Sequence, residues 1–204
     1  MYTLTLITRT TNNVTPLLKR LNDLDPAVPF AALHNDEIQG VFAHPEEVYS
    51  TFALAARDQN FWIGIGVGEV KVPRLAGALG AVSTAECSGE GLQLSRRAVE
   101  LARTGMPVRS VAVCADDQGL AENLTGMMRL LYRVIAKRSV AENRVIDLLI
   151  PGVRGQTAAV AQALGITSQA VSRALNRASW HEEIASRAVV YRLLKQLNSG
   201  LIEP

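Results

Sequence analysis

Apolar positions along the chain follow two regimes that meet near residue 120. Tyr2 to Ile7 alternates threonine with apolar residues, the period of two expected of a strand with one buried face. Val14 to Leu24 shifts to helical spacing through Val14, Leu17, Leu18, Leu21 and Leu24, and Asp23 with Asp25-Pro26 closes the helix. Phe30 to Leu33 and Gln39 to Phe42 predict short strands on either side of HNDEI, a tight turn. Pro45 opens a second helix at its first position, where a missing N–H is harmless, and Val48, Phe52, Leu54 and Ala55 continue it. Phe61 to Val70 reads as a strand with Gly64, Gly66 and Gly68 on one alternate face, which lets a backbone or a ligand approach closely. After a loose stretch from Ala76 to Ala85, Leu92, Ser95, Ala98, Val99 and Ala102 mark a helix over Gly91 to Arg103. Val108 to Ala115 predicts a last strand.

Beyond Leu120 strand signals nearly vanish. Met127, Leu130, Leu131, Val134 and Ile135 predict one helical face, and Val145, Ile146, Leu148 and Leu149 another, ended by Pro151-Gly152. Ile184, Ala188, Tyr191, Leu194 and Leu197 predict a final amphipathic helix that serves as core or as a dimer seam. The pattern implies an α+β domain over residues 1–118, with helices on an antiparallel-rich sheet, followed by an all-α domain over residues 119–204.

The 204 residues are 48% hydrophobic and 20% charged, ordinary globular usage, and the apolar runs fall far short of the ~20 residues that span a bilayer. No membrane association is expected, and MYTLTLITRT lacks the features of a signal peptide, so the expected location is cytoplasmic. Cys87 and Cys114 have no CxxC spacing and only three histidines beside them, which argues against a disulfide framework or a zinc site. No metal or other cofactor is expected. His34 and His44 flank the hairpin without a third ligand and read as surface residues.

The net charge of +2 hides an asymmetry. Residues 1–128 carry 10 Lys and Arg against 14 Asp and Glu, a net of −4, whereas residues 129–204 carry 11 against 5, a net of +6. A basic segment of this kind suits an anionic partner, nucleic acid above all.

Local pattern sharpens that expectation. TAAVAQALGITSQAVSRAL, starting at Thr157, meets the demands of a helix-turn-helix. Ala161 is the small residue at the crossing, Gly165 ends the first helix in a left-handed conformation, and Val160, Leu164, Ile166, Val171 and Leu175 lock the pair. Thr167 can cap the second helix by accepting from a backbone N–H two or three residues on. Val171, Ala174, Leu175 and Ala178 then face inward. Gln169, Ser172, Arg173, Asn176 and Arg177 face outward, and Gln or Asn to adenine and Arg to guanine are the usual bidentate pairings in the major groove. Thr167, Ser168 and Gln156 complete the candidate DNA-binding set, and Arg154, Lys137 or Arg138 could add phosphate contacts. An ordinary helical hairpin with a glycine turn is the plainer alternative.

With those residues in place, the whole chain resembles the SatD family of bacterial proteins. NDEIQG at Asn35 to Gly40 matches the family's GDEFQG-type segment, GIGVGEV at Gly64 to Val70 its GIG strand, and GEGLQLSRRA at Gly89 to Ala98 its G-x-A-x-x-x-A-R helix start. QTAAVAQALGITSQAVSRALNRA resembles its terminal DNA-binding helices, and also region 4 of sigma factors. The resemblance implies a ferredoxin-like, cyclase-like first domain joined to a helix-turn-helix. Class III cyclases hold two metal ions with two aspartates, one at the end of the first strand and one in the hairpin. Asp36 takes the hairpin place, but Leu6-Ile7-Thr8-Arg9 stands at the strand end, and neither Thr8 nor Arg9 replaces an anionic ligand. Catalysis is therefore not expected.

The remaining candidates for a small-molecule or nucleotide effector are Asp36, Gly64, Gly66, Gly68, and Arg96 or Arg97, which with Gln93 lie near the places of the cyclase helix's asparagine and arginine. Each has a plainer role open to it: Asp36 in starting a turn, the glycines in helix packing. The leading expectation is a bacterial transcriptional regulator that binds double-stranded DNA as a homodimer, since two recognition helices must lie one DNA turn apart. A nucleotide-binding or nucleotide-cyclising enzyme, and a protein-interaction module of a transcription or phage assembly, are the alternatives.

Overall fold

The structure, a computed structural model, describes residues 1–10, 14–34, 36–73, 83–104 and 110–200. Asn35, residues 76–82 of the loose stretch, and Val108 with Arg109 at the start of the last expected strand lie outside these ranges. Among the described residues the chain forms an α+β structure with a five-stranded mixed sheet and eight α-helices. In chain order they are β1 (Tyr2–Thr8), α1 (Thr15–Asn22), β2 (Val28–Ala32), β3 (Glu37–Phe42), α2 (Pro45–Asp58), β4 (Phe61–Val67), α3 (Glu90–Thr104) and β5 (Val111–Cys114). Then follow α4 (Gln118–Ala136), α5 (Val140–Ile146), α6 (Thr157–Leu164), α7 (Ser168–Arg177) and α8 (Trp180–Ser199). Strand order is β2-β3-β1-β4-β5. The first four strands pair antiparallel in a split βαββαβ order, and β5 joins β4 in parallel after the α3 crossover.

The period of two in β1 led to an expectation of one buried face, yet all seven residues are buried. Helices cover the sheet on both sides. Leu4, Leu6, Ile63 and Ile65 meet α2, α4 and α8 on one side. On the other, Thr5 lies under α3, where its hydroxyl is 2.9 Å from that of Ser95, and Gln39 Nε2 donates to both at 2.9 and 3.1 Å. The Thr5 hydroxyl is thus buried with partners, whereas that of Thr3, two residues earlier on the same face, is buried without one.

The glycine stripe explains how α3 comes so close. A Cβ on Gly64 would stand 2.2 Å from the carbonyl oxygen of Ser95, and one on Gly66 2.3 Å from its nitrogen. At Gly68 the obstacle is the Gly91 nitrogen, at 2.8 Å. The space these glycines open is filled by the helix backbone, which corrects the expectation of a ligand surface there. The strand itself ends at Val67, short of the expected Val70.

Two helices placed by sequence in residues 119–204 share the core of the sheet. Leu124, Met128, Leu131 and Ile135 of α4, with Val190, Leu194 and Leu197 of α8, pack in one cluster with β1 and β4. Leu130, expected on the buried face of α4, is exposed instead. A separate small cluster joins Val145, Val160, Ala161, Val171, Ala174, Leu175 and Trp180. Residues 139–179 are therefore an excursion between two helices that both anchor on the sheet. No helix among the described residues is long and apolar enough to cross a membrane.

Candidate nucleic-acid interface

Helices α5 and α6 both pack against α7, and Trp180 closes their core. Gly165 ends α6 at φ 65°, the left-handed conformation expected of it, and its N–H reaches the carbonyls of Ala161 and Gln162. Thr167 is the N-cap of α7, its hydroxyl accepting from the Ala170 N–H at 3.1 Å. Val171, Ala174, Leu175 and Ala178 are buried as expected. Ile166, expected among the locking residues, is 41% exposed; the turn swings it outward while its N–H bonds the Ala161 carbonyl at 3.0 Å.

The opposite side of α7 is exposed at Ser168, Gln169, Ser172, Arg173, Asn176 and Arg177. Ser168, Gln169, Ser172 and Arg173 line a shallow, open hollow. The side chains of Gln169, Ser172, Arg173 and Asn176 make no hydrogen bond or ion pair with other described residues. Arg177 differs, for its Nε donates to Glu142 Oε1 at 3.0 Å although the side chain is two-thirds exposed. The Ser139 N–H, and then Arg177, hold the Glu142 carboxyl below the usual carboxylate range.

Gln156 was expected to touch DNA, but its amide braces the loop before α6. Oε1 accepts from the Ile150 N–H, and Nε2 donates to the carbonyls of Ile150 and Val153, all at 2.8 Å. Arg138 is likewise withdrawn from solvent. Its Nε donates to the Ala178 carbonyl at 2.9 Å, and Nη2 lies 2.6 Å from Glu183 Oε2, an ion pair outside hydrogen-bond alignment. Glu183 Oε1 also accepts from Arg187 Nε and Nη2 at 3.1 and 2.7 Å. The Arg187 guanidinium lies over the rings of Tyr49 and Trp180. This knot, with the bidentate pair of Arg57 on Asp147, secures the excursion to the sheet. Sequence reasoning missed it, and the only local hint was Glu183 four residues before Arg187.

Behind α7 a hollow of about 530 Å³ is lined by Leu149, Arg154, Leu175, Trp180, His181 and Ile184 among others. The other effector candidates are dispersed. Asp36 is exposed and its carbonyl accepts from the Thr8 N–H at 2.8 Å. Arg96 pairs with Glu37 at 3.3 Å, whereas the charge of Arg97 acts on Cys114 of the edge strand β5. The Arg9 guanidinium donates to Phe61 and Ser110 and lies over Trp62. Among the described residues no three His, Cys, Asp or Glu side chains gather as a metal site. No protein-family model, curated protein or solved structure matches the chain.

Proposed function

We propose that the chain is a sequence-specific double-stranded DNA-binding protein, a bacterial transcriptional regulator that acts as a homodimer. The observation that carries this reading is the face of α7: Gln169, Ser172, Arg173 and Asn176 stand exposed and unengaged on a helix whose back is fixed by Val171, Ala174 and Leu175. Such side chains are free to exchange water for base edges without first breaking a contact within the protein. Arg177 and the basic balance of residues 129–204 add attraction to phosphate. In this reading residues 157–177 are the helix-turn-helix of an all-α unit, and the βαββαβ order supports a ferredoxin-like, cyclase-like sheet retained without catalysis, as the SatD resemblance implies. A small-molecule or nucleotide effector would act through the hollow behind α7, whose shape depends on Leu175 of the recognition helix.

The test is fluorescence anisotropy with fragmented genomic DNA, wild type against Arg173→Ala, over ~50 to 200 mM salt, where several phosphate contacts weaken binding by orders of magnitude. Wild type should bind with a steep salt slope and select particular fragments, and Arg173→Ala should lose the selection. Absence of DNA binding by wild type at the low-salt end overturns the reading in favour of a protein-interaction module, and selection unchanged by Arg173→Ala overturns the assignment of the α7 face as the reading surface.

A further inference from the structure

Helix α4 buries one face and leaves the opposite one uncovered. Ala121, Leu124, Met128, Leu131 and Ile135 enter the core of the sheet. Glu122, Gly126, Leu130, Arg133 and the C-cap residue Lys137 are exposed, Leu130 to 67%. At 3.6 residues per turn these five share a stripe about 80° wide.

Three observations bear on what covers it. A Cβ on Gly126 would meet nothing within 4 Å, so this fold alone does not require glycine at the middle of a 19-residue helix, where glycine is among the least favourable residues. Beside Gly126 opens a hollow of about 370 Å³, with Leu101, Ala112 and Val113 among its walls and Glu122 and Arg129 also lining it. Charge also changes sign along the stripe. Asp116 and Asp117 precede α4 and Glu122 lies before Gly126, while Arg133 and Lys137 follow it. A helix with that polarity is complementary to a copy of itself laid antiparallel.

We infer that a second copy of this chain covers the stripe, α4 against α4, about a two-fold axis that passes between Gly126 and Leu130. In that register each Leu130 enters the space over the partner's Gly126, and each Glu122 faces the partner's Arg133. A single helix face is small for an obligate interface, so the association depends on concentration. The inference rests on the regulator reading for its purpose, and its test omits DNA so that the two can fail separately.

The experiment is sedimentation velocity on the full chain, without DNA, at concentrations up to about 100 µM, where a transient interface still associates. Wild type should approach twice the 22.0 kDa chain mass. Gly126→Leu should keep or raise the melting temperature, because the monomer has room for the side chain, yet remain at the chain mass. Glu122→Arg and Arg133→Glu should each weaken self-association at least tenfold, and an equimolar mixture of the two should restore the dimer, since every facing pair is then of opposite sign. A wild type that stays monomeric, a dimer that survives Gly126→Leu or either charge reversal, or a mixture that fails to re-form it overturns the inference.

Discussion

The Tyr49 hydroxyl donates to Glu183 Oε1 at 2.9 Å, tying α2 on the sheet to the first turn of α8, where the helical excursion returns. The carboxylate, 1% exposed, is shared by two guanidinium groups. Its burial is tolerated because every charge has a partner, and the aromatic faces of Tyr49 and Trp180 take up part of the surplus positive charge.

Glu183→Ala should therefore be among the most damaging single substitutions in the chain. It leaves Arg138, itself buried, facing Arg187 without a counter-charge, and breaking a buried pair in this way costs about 3–5 kcal/mol. Chemical denaturation should register that loss. Lys195→Ala, which removes an exposed ion pair with Glu46, should change stability by less than about 1 kcal/mol in the same assay.

The same knot makes stability depend on pH. Burial alone would raise the Glu183 carboxyl, but hydrogen bonds and charge from Arg187, with Arg138 in support, more than cancel it and hold it below the ordinary range. The stability it contributes is complete above its unfolded pKa, roughly 4.3, and declines as pH falls through the depressed folded value. Tyr49 behaves oppositely: burial, then Glu183, pushes its hydroxyl far up, and burial lifts Tyr2 to about 12. Between the unfolded tyrosine pKa of about 10 and these folded values only the unfolded chain releases protons, so stability falls as pH rises. Tyr49→Phe should flatten the alkaline limb of a stability–pH curve, and phenolate absorbance of wild type should show Tyr49 ionising only as the chain unfolds.

Much of this architecture was legible locally. Thr157 to Leu175 could be read because its determinants lie within 20 residues: Gly165 in the turn, Thr167 at the cap, and Val160, Val171 and Leu175 at helical spacing. What could not be read depends on contacts distant in the chain. Nothing near Gly64 announces that Ser95 will lie against it, whereas the spacing of Ala121, Leu124, Met128, Leu131 and Ile135 does separate Leu131 from Leu130, and grouping both on one face misreads the helical phase. Gln156 and Arg138 have side chains that suit DNA, and only the fold turns one onto its own loop and the other onto Glu183.

Glu142→Gln should tighten DNA binding a few-fold. Glu142 competes for Arg177, and glutamine retains an acceptor for the Ser139 N–H while giving up the charge. Arg177 would then be available to phosphate, so the slope of log affinity against log salt should steepen by up to about 1. An anisotropy titration at several salt concentrations measures both.

Gly64→Ala should cost about 3 kcal/mol or more. Its new methyl group would collide with the Ser95 carbonyl oxygen and the Val99 nitrogen, both backbone atoms that cannot rotate aside. Thermal unfolding should show the loss, while Gly152→Ala, with open space but φ 83°, should show only the smaller penalty of a left-handed alanine, about 1–2 kcal/mol.

Residues 139–179 leave the sheet at the end of α4 and come back to it along α8, so α7 is held from both sides. On the regulator reading, α7 is a reading head tethered at both ends, unlike one hung on a single flexible linker. In a two-fold dimer the separation of the two recognition helices would be built into the body like the gap of a caliper. Inserting one base pair between half-sites moves them apart by about 3.4 Å and turns one against the other by about 35°, and a head tethered at both ends has less slack with which to follow.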